Sequence, residues 1–303
     1  MFKIAKINGL TGERKDLDFE EFVFPAGEVS VKLNAGDYAY REINLPNTII
    51  ARIQNSDDLF KLALIKDAIV RFDKNPVNLF LPYVPYARQD RICDSGEAFS
   101  IAALARFIAS LGFNQITIVD PHSHVTPAVF EALNVKLNII TQLDLLNKFT
   151  NFIPVLMKST MVSPDAGANK KTADVAGWLQ QPSFIRADKL RDLSNGKIKE
   201  IAIYADDLNG KDVVIVDDLC EFGGTFLGLT TELRKKNCGK VVLFVTHGVF
   251  GGQDKSVVFE TVKKLIVNGI NAIYTTNSYH GDLGMFPADL NVLDLEKRFF
   301  DKI

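Results

Sequence analysis

Cysteine is scarce in this sequence. Cys93, Cys220 and Cys238 are three scattered residues without metal-ligand spacing. They exclude a disulfide framework or a cysteine zinc site as the organising feature, and point to buried thiols in a reducing, cytoplasmic setting. Excess charge is scarce too: the formal net charge is −2, so there is no electrostatic case for sequence-independent nucleic-acid binding. Long apolar runs are missing. Nothing is long enough to span a bilayer, and Met1-Phe2-Lys3-Ile4 does not open a signal-peptide pattern. Neither nucleic acid nor membrane is an expected partner. Low-complexity segments and short repeats are absent as well.

What is present is material for two cores. A length of 303 residues sets a prior of about two domains. With 47% apolar and 24% charged residues, the composition is that of an ordinary soluble globular protein. Ser56 can cap a helix in which Leu59, Leu62, Ile65 and Ile69 share a face. Asn78-Leu79-Phe80-Leu81 and Gln115 to Asp120 read as buried strands, and between them Asp94 and Glu97 have capping-box spacing for a helix through Ile101, Leu104, Ala105 and Ile108. After Asn138-Ile139-Ile140 the alternation starts again with Thr160-Met161-Val162. Strand–helix alternation of this kind predicts an α/β protein with parallel sheets covered by helices on both faces. The boundary is placed near residue 145, giving segments 1–145 and 146–303.

The most informative stretch is Val213-Val214-Ile215-Val216-Asp217-Asp218-Leu219-Cys220-Glu221-Phe222-Gly223-Gly224-Thr225. Four β-branched residues in a row read as a strand buried on both faces, ending at two carboxylates. Gly223, Gly224 and Thr225 then fall at the start of a helix carrying Phe226, Leu229 and Leu233 on one face. Free backbone N–H groups at such a terminus suit a phosphate. Two like charges at a strand end are costly unless a cation or ligand hydroxyls meet them. A plain strand, an Asp cap and a glycine turn is the simpler alternative. A nucleotide P-loop is excluded, because no Gly-Lys-Ser/Thr follows and the acids precede the glycines.

Other strand ends are polar as well. Arg88, Gln89 and Arg91 follow one strand, Asp120, His122 and His124 the next, Asp165 a third, and Thr246 and His247 a fourth. Cations suit phosphates; acids with histidine suit a divalent metal. His124 and His247 are read as structural rather than ligating.

At this point the residues resemble a family, the ribose-phosphate diphosphokinases. Pro82-Tyr83-Val84-Pro85-Tyr86-Ala87-Arg88-Gln89-Asp90-Arg91 is similar to that family's ATP loop, Val119-Asp120-Pro121-His122 to its metal-binding histidine loop, and Val162-Ser163-Pro164-Asp165-Ala166-Gly167 to its pyrophosphate loop. Asp188-Lys189-Leu190-Arg191 resembles its catalytic hairpin, Asp217 to Thr225 its ribose-phosphate loop, and Phe24 to Glu28 the segment that meets adenine from a neighbouring subunit. The resemblance implies two tandem phosphoribosyltransferase-like (Rossmann-like) domains, each a mainly parallel sheet flanked by helices. It further implies transfer of the β,γ-diphosphoryl group of Mg–ATP to the anomeric hydroxyl of ribose 5-phosphate. Implied roles are ATP binding for Phe24, Glu28, Arg88, Gln89 and Arg91, catalysis for Lys189 and Arg191, and Mg²⁺ ligation for His122 and Asp165. Asp217, Asp218, Glu221, Phe222, Gly223, Gly224 and Thr225 are implied to hold the ribose phosphate. Small-molecule substrates and a homo-oligomer are implied too.

The departures from the family pattern are specific. After Asp165 the chain lacks a second glycine and an arginine, for which Lys170 or Lys171 can substitute. Leu190 separates Lys189 from Arg191, and Ala26 stands where a polar residue is common. Glu221-Phe222 replaces an Asp-Thr pair, which removes a hydroxyl donor for a terminal phosphate dianion and adds a longer carboxylate. A phosphodiester has one charge fewer and can carry an aromatic group for Phe222 to stack on. Three alternatives therefore stand beside free ribose 5-phosphate. They are a substituted acceptor such as ADP-ribose, a non-catalytic regulatory family member, and a phosphoribosyltransferase.

Overall fold

A computed structural model of the chain describes residues 1–7, 14–34, 45–181, 183–191, 198–281 and 289–300, except for the side chains of 190, 191 and 198–200. The chain divides into two units, Met1–Thr141 with Asp294–Ile303, and Gln142–Leu293.

The first unit runs β1 (Phe2–Ile7), β2 (Arg14–Leu17), β3 (Phe19–Val23), β4 (Val29–Leu33), β5 (Asn47–Ala51), α1 (Ser56–Phe72), β6 (Val77–Leu81), α2 (Ser100–Ser110), β7 (Ile116–Val119), α3 (Val125–Glu131) and β8 (Leu137–Ile140). Its six-stranded sheet has the order β2-β1-β5-β6-β7-β8. Strands β5 to β8 are parallel, while β1 is antiparallel to both of its neighbours. Ile49, Leu79, Leu81, Ile116 and Ile118 pack with Leu62, Ile65 and Ile69 of α1 and Ile101, Leu104 and Ile108 of α2. Covered on both faces, the central strands need unbroken apolar runs, and this is why they read as such.

Two helix starts differ from the sequence expectation. Asn55, not Ser56, caps α1, its side chain accepting from the Asp58 N–H at 3.0 Å. Glu97 does turn back, accepting from the N–H groups of Cys93 at 2.7 Å and Asp94 at 3.1 Å. That bond closes a turn, and α2 begins only at Ser100. Strands β3 and β4 form a separate two-stranded hairpin. It lies on α1 through Phe19, Val31 and Leu33 and through a 2.8 Å ion pair from Lys61 to Glu21.

The second unit comprises α4 (Gln142–Lys148), α5 (Ile153–Lys158), β9 (Thr160–Ser163), α6 (Asn169–Trp178), β10 (Ile185–Arg191), β11 (Ile198–Ile203), β12 (Val213–Cys220), α7 (Gly224–Lys235), β13 (Val241–Gly248), α8 (Lys255–Val267), β14 (Ala272–Thr276) and β15 (Leu290–Leu293). The seven strands are ordered β11-β10-β9-β12-β13-β14-β15. Among the described residues, only the β10–β11 pair of this sheet is antiparallel. On one face Val213, Ile215, Leu243 and Val245 meet Phe226, Leu229 and Leu233 of α7 and Val258, Val262 and Leu265 of α8. On the other, Phe152 stacks on Phe244 at 5.5 Å and on Tyr274 at 4.2 Å.

The last described helix, α9 (Leu295–Phe299), belongs to the first unit, although the expected boundary assigned residues 146–303 to one segment. Glu296 fixes it there. Its buried carboxylate lies 2.9 Å from Lys3 Nζ, 2.9 Å from Arg14 Nη2 and 3.0 Å from Arg52 Nη2. No described helix is long and apolar enough to cross a membrane. Mainly parallel sheets flanked by helices, twice over, are the architecture expected of two phosphoribosyltransferase-like domains.

Candidate active site

In each unit the polar loops leave the carboxyl ends of parallel strands, where open α/β sheets bind ligands. In the first unit β6 and β7 are neighbours in register, Leu81 opposite Ile118, so the loops after them leave side by side. The β6 loop is irregular, as its prolines require. Val84 and Ala87 are buried and anchor it, while Arg88, Gln89 and Arg91 are exposed. Tyr86 adopts φ 62, and its carbonyl accepts from the Gln89 N–H at 2.9 Å. After β7, Asp120 takes φ 36, a left-handed conformation that aspartate tolerates better than most residues. His122 follows, exposed. Ser123 Oγ donates to Asp90 Oδ2 at 2.6 Å and ties the two loops together. Arg88, Gln89, Arg91 and His122 thus occupy adjoining loops. Phe24 and Glu28 lie elsewhere in the unit, at the exposed tip of the β3–β4 hairpin, where the Phe24 N–H donates to the Glu28 carbonyl at 2.8 Å.

In the second unit the site is built around β9, β10 and β12. Asp165 follows β9, and Lys189 on β10 reaches it: Nζ donates to Oδ2 at 2.6 Å. The other carboxylate oxygen accepts from the Ala168 N–H at 3.0 Å. Burial raises the Asp165 pKa, but the Lys189 hydrogen bond and charge outweigh it and hold the carboxyl below its ordinary range. Lys189 is nearly covered, its side chain 9% exposed. The side chain of Arg191 lies outside the described residues.

Strand β12 runs two residues past the expected end at Asp217-Asp218, to Cys220, because β13 keeps pairing with it as far as Cys220 opposite Gly248. Its other neighbour, β9, pairs only as far as Ile215 opposite Val162. Asp217 and Asp218 therefore sit where β12 overhangs β9, on the side of the Asp165 loop. Asp218 is buried and Asp217 half-buried. Burial, then the neighbouring Asp218 charge, pushes the Asp217 carboxyl well above the usual carboxylate range. The Asp217 carbonyl accepts from Gln142 Nε2 at 3.0 Å. A pair in this state is stabilised by whatever supplies hydrogen-bond donors or positive charge.

Beyond Cys220 the chain turns over Glu221 and Phe222, both exposed, into Gly223, which caps α7 in the left-handed region at φ 71 without any side-chain cap. Thr225 is half-buried in the first helical turn. Helix α6 likewise starts at Asn169 with no side-chain cap and with Lys170 exposed in its first turn. The second unit thus presents two uncapped helix N-termini beside its acidic cluster, each suited to an anionic group. Cys220 is buried and its thiol is pushed upward by burial, so it stays protonated. Its carbonyl accepts from the N–H groups of Val249 and Phe250, both at 3.0 Å, which fixes the end of the loop.

Among the described residues no group of three or more His, Cys, Asp or Glu side chains could cage a metal ion. Mg²⁺ does not need one. It keeps several waters and is commonly held by one or two carboxylates plus substrate phosphates. An exposed imidazole at His122 in the first unit and a carboxylate at Asp165 in the second are each a donor of the kind that mode uses. Both Asp165 oxygens are already engaged, so Asp165 suits ligation through water unless Lys189 withdraws.

Sequence reasoning missed Gln142, Ser123 and the Val249–Phe250 backbone. None has a local signal: Gln142 lies 75 positions from the carbonyl it holds, and Ser123 lies 33 from Asp90.

No protein-family model matches the chain. It is 28% identical over 293 residues to the ribose-phosphate pyrophosphokinase of Sulfurisphaera tokodaii, covering 95% of this chain and 92% of that one. It is 26% identical over 255 residues to the enzyme of the same name from Aquifex aeolicus, 83% and 78% of the respective lengths. Among solved structures, phosphoribosylpyrophosphate synthetase from Mycobacterium smegmatis matches with a TM-score of 0.71 at 20% identity, over 92% of this chain and 86% of that one. The structural match is a likeness of fold.

Proposed function

We propose, from the premise that this chain belongs with the ribose-phosphate pyrophosphokinases, that it transfers the β,γ-diphosphoryl group of ATP to the anomeric hydroxyl of ribose 5-phosphate. The bond from the anomeric oxygen to the β-phosphorus forms, and the bond from that phosphorus to the oxygen bridging the α-phosphate breaks. AMP leaves with that oxygen, and the hydroxyl proton passes to water. Such a displacement needs alignment and charge neutralisation more than covalent catalysis. The observation that carries the reading is the 2.6 Å Lys189–Asp165 pair beside the overhanging Asp217–Asp218 carboxylates. It supports an ammonium at the pyrophosphate loop, next to a grip for ribose hydroxyls.

In this reading the α7 N–H groups, with Gly223, Gly224 and Thr225, hold the 5′-phosphate. Asp217 and Asp218 accept hydrogen bonds from the ribose hydroxyls, which offsets the cost of their mutual repulsion. Lys189, together with Arg191, balances charge on the transferring group, while Arg88, Gln89 and Arg91 orient ATP. Phe24 and Glu28 serve the adenine of a neighbouring subunit in a homo-oligomer. His122 and Asp165 would hold Mg²⁺, whose chemistry when bound is to neutralise phosphate charge and polarise the transferring phosphorus.

A second reading keeps the chemistry and changes the acceptor to a substituted ribose 5-phosphate such as ADP-ribose. Glu221 and Phe222, both exposed at the phosphate end of the site, favour it. The deciding measurement is AMP released from labelled ATP with Mg²⁺ and each acceptor. Release that depends on ribose 5-phosphate supports the main reading, and preference for ADP-ribose supports the second. If neither sugar elicits AMP, a non-catalytic regulatory role takes over; cleavage of a nucleotide by pyrophosphate would instead mark a phosphoribosyltransferase.

A further inference from the structure

Beside the ribose-phosphate loop lies an open groove of about 480 Å³, lined by Phe222 and by Ser256, Val257, Glu260, Thr261 and Lys264 of α8. Val257, Glu260, Thr261 and Lys264 recur at the spacing of one helix face. Gly251, at φ +98, packs against three of these side chains. A Cβ there would stand 2.6 Å from Val257 Cγ1, 3.2 Å from Phe222 Cε1 and 3.3 Å from Thr261 Oγ1. Three side chains converge on a residue that has none, and its missing Cβ is what lets Phe222 and Val257 pack together there. The same helix touches the phosphate turn: a Cβ on Gly223 would be 2.7 Å from Leu265 Cδ2. Phe222, which lines the groove, directly precedes Gly223, so the groove adjoins the turn that opens α7.

Phe222 is 66% exposed, a large aromatic ring left in water directly before a turn suited to phosphate. Ribose 5-phosphate is a monoester; held at Gly223 and Gly224, it ends at that turn and leaves the groove empty. A phosphodiester continues past it. We propose that the groove is a subsite for the group joined to the acceptor's 5′-phosphate, and that its chemistry fits a nucleoside monophosphate with an aromatic base. The ring of Phe222 and the methyls of Val257 form an apolar wall for a base, which few other substituents would use. Lys264 supplies positive charge for a further phosphate, and Ser256 and Glu260 at the rim pair with sugar hydroxyls. This assignment rests on the diphosphokinase reading for the position of the ribose phosphate.

The test uses the full chain with Mg²⁺ and the exposed-site variants Phe222→Ala and Val257→Glu. In each variant the ratio of kcat/KM for ADP-ribose over ribose 5-phosphate, read as AMP from labelled ATP, falls about tenfold, the scale of one lost stacking contact. Calorimetric titration with ADP-ribose, in the presence of Mg²⁺ and a non-hydrolysable ATP analogue, shows a matching rise in Kd and needs no turnover. A ratio and a Kd unmoved in both variants overturn the subsite, as does absence of ADP-ribose binding by the parent protein. The two readings separate cleanly. Phe222-dependent binding of ADP-ribose without AMP release from either sugar defeats the diphosphokinase reading and leaves the groove standing. AMP release with ribose 5-phosphate alongside insensitivity to Phe222 and Val257 defeats the groove alone.

Discussion

At the scale of single residues, Lys189 and Gly223 carry the sharpest expectations. Lys189 is nearly covered and bonded to Asp165 at 2.6 Å, so its ammonium is held in place before any ligand arrives. A positive charge needed mainly as the diphosphoryl group transfers acts on turnover more than on affinity. Lys189→Ala is expected to lower kcat by about 10²- to 10³-fold, the scale of losing one preorganised donor, with a much smaller change in the KM for ATP. Steady-state kinetics at saturating Mg²⁺ check this, and equal kcat in variant and parent removes Lys189 from the mechanism. Gly223 is held at φ +71 with Leu265 packed where a Cβ would go. Gly223→Ala is expected to cost about 1–3 kcal/mol of stability, the scale of a strained backbone position, and to raise the KM for the sugar phosphate. Urea unfolding and acceptor kinetics read the two effects separately.

At the scale of elements, α9 is the piece on which stability turns. Glu296 is buried among Lys3, Arg14 and Arg52, and Arg52 is itself fully covered. Removing one member leaves uncompensated charge inside, so Glu296→Ala is expected to destabilise the first unit by about 3–5 kcal/mol. Thermal unfolding checks it, and a Tm within a degree of the parent would refute it. Burial raises the Glu296 pKa, but Lys3, Arg52 and Arg14 outweigh it, and the folded value lies below the ordinary one. A depressed acid contributes stability that is present above its unfolded pKa and lost as pH falls through the folded one. The stability gap between parent and Glu296→Gln is therefore expected to narrow in acid. None of this was legible in the sequence, since Lys3 and Glu296 are 293 positions apart. What was legible is local: apolar runs gave the central strands, and the loops carrying Arg88, His122 and Asp165 follow β6, β7 and β9. Local patterns failed where a tertiary neighbour decided. Strand β12 ran on to Cys220 because β13 did, and the Asp94–Glu97 spacing closed a turn instead of starting a helix.

At the scale of the whole molecule, the β3–β4 hairpin carries Phe22, Val23 and Phe24 into water at 58%, 59% and 48% exposure, with Phe22 and Phe24 in edge-to-face contact at 4.8 Å. Exposed contiguous apolar side chains of this kind mark interaction surfaces. In the proposed homo-oligomer this tip meets a second copy. Analytical ultracentrifugation is expected to give a mass that is a multiple of 33.7 kDa, and Phe22→Asp to shift it downward. A parent protein that sediments as a monomer at micromolar concentration would end that proposal.

The division of the chain has a consequence for its synthesis. The second unit, Gln142–Leu293, is one continuous segment, whereas the first is interrupted and needs Glu296 from beyond it. Emerging from a ribosome, residues 1–141 precede Glu296 by the whole of the second unit. Where the amino-terminal domain matures first, as is usual, α9 is the piece that joins it last.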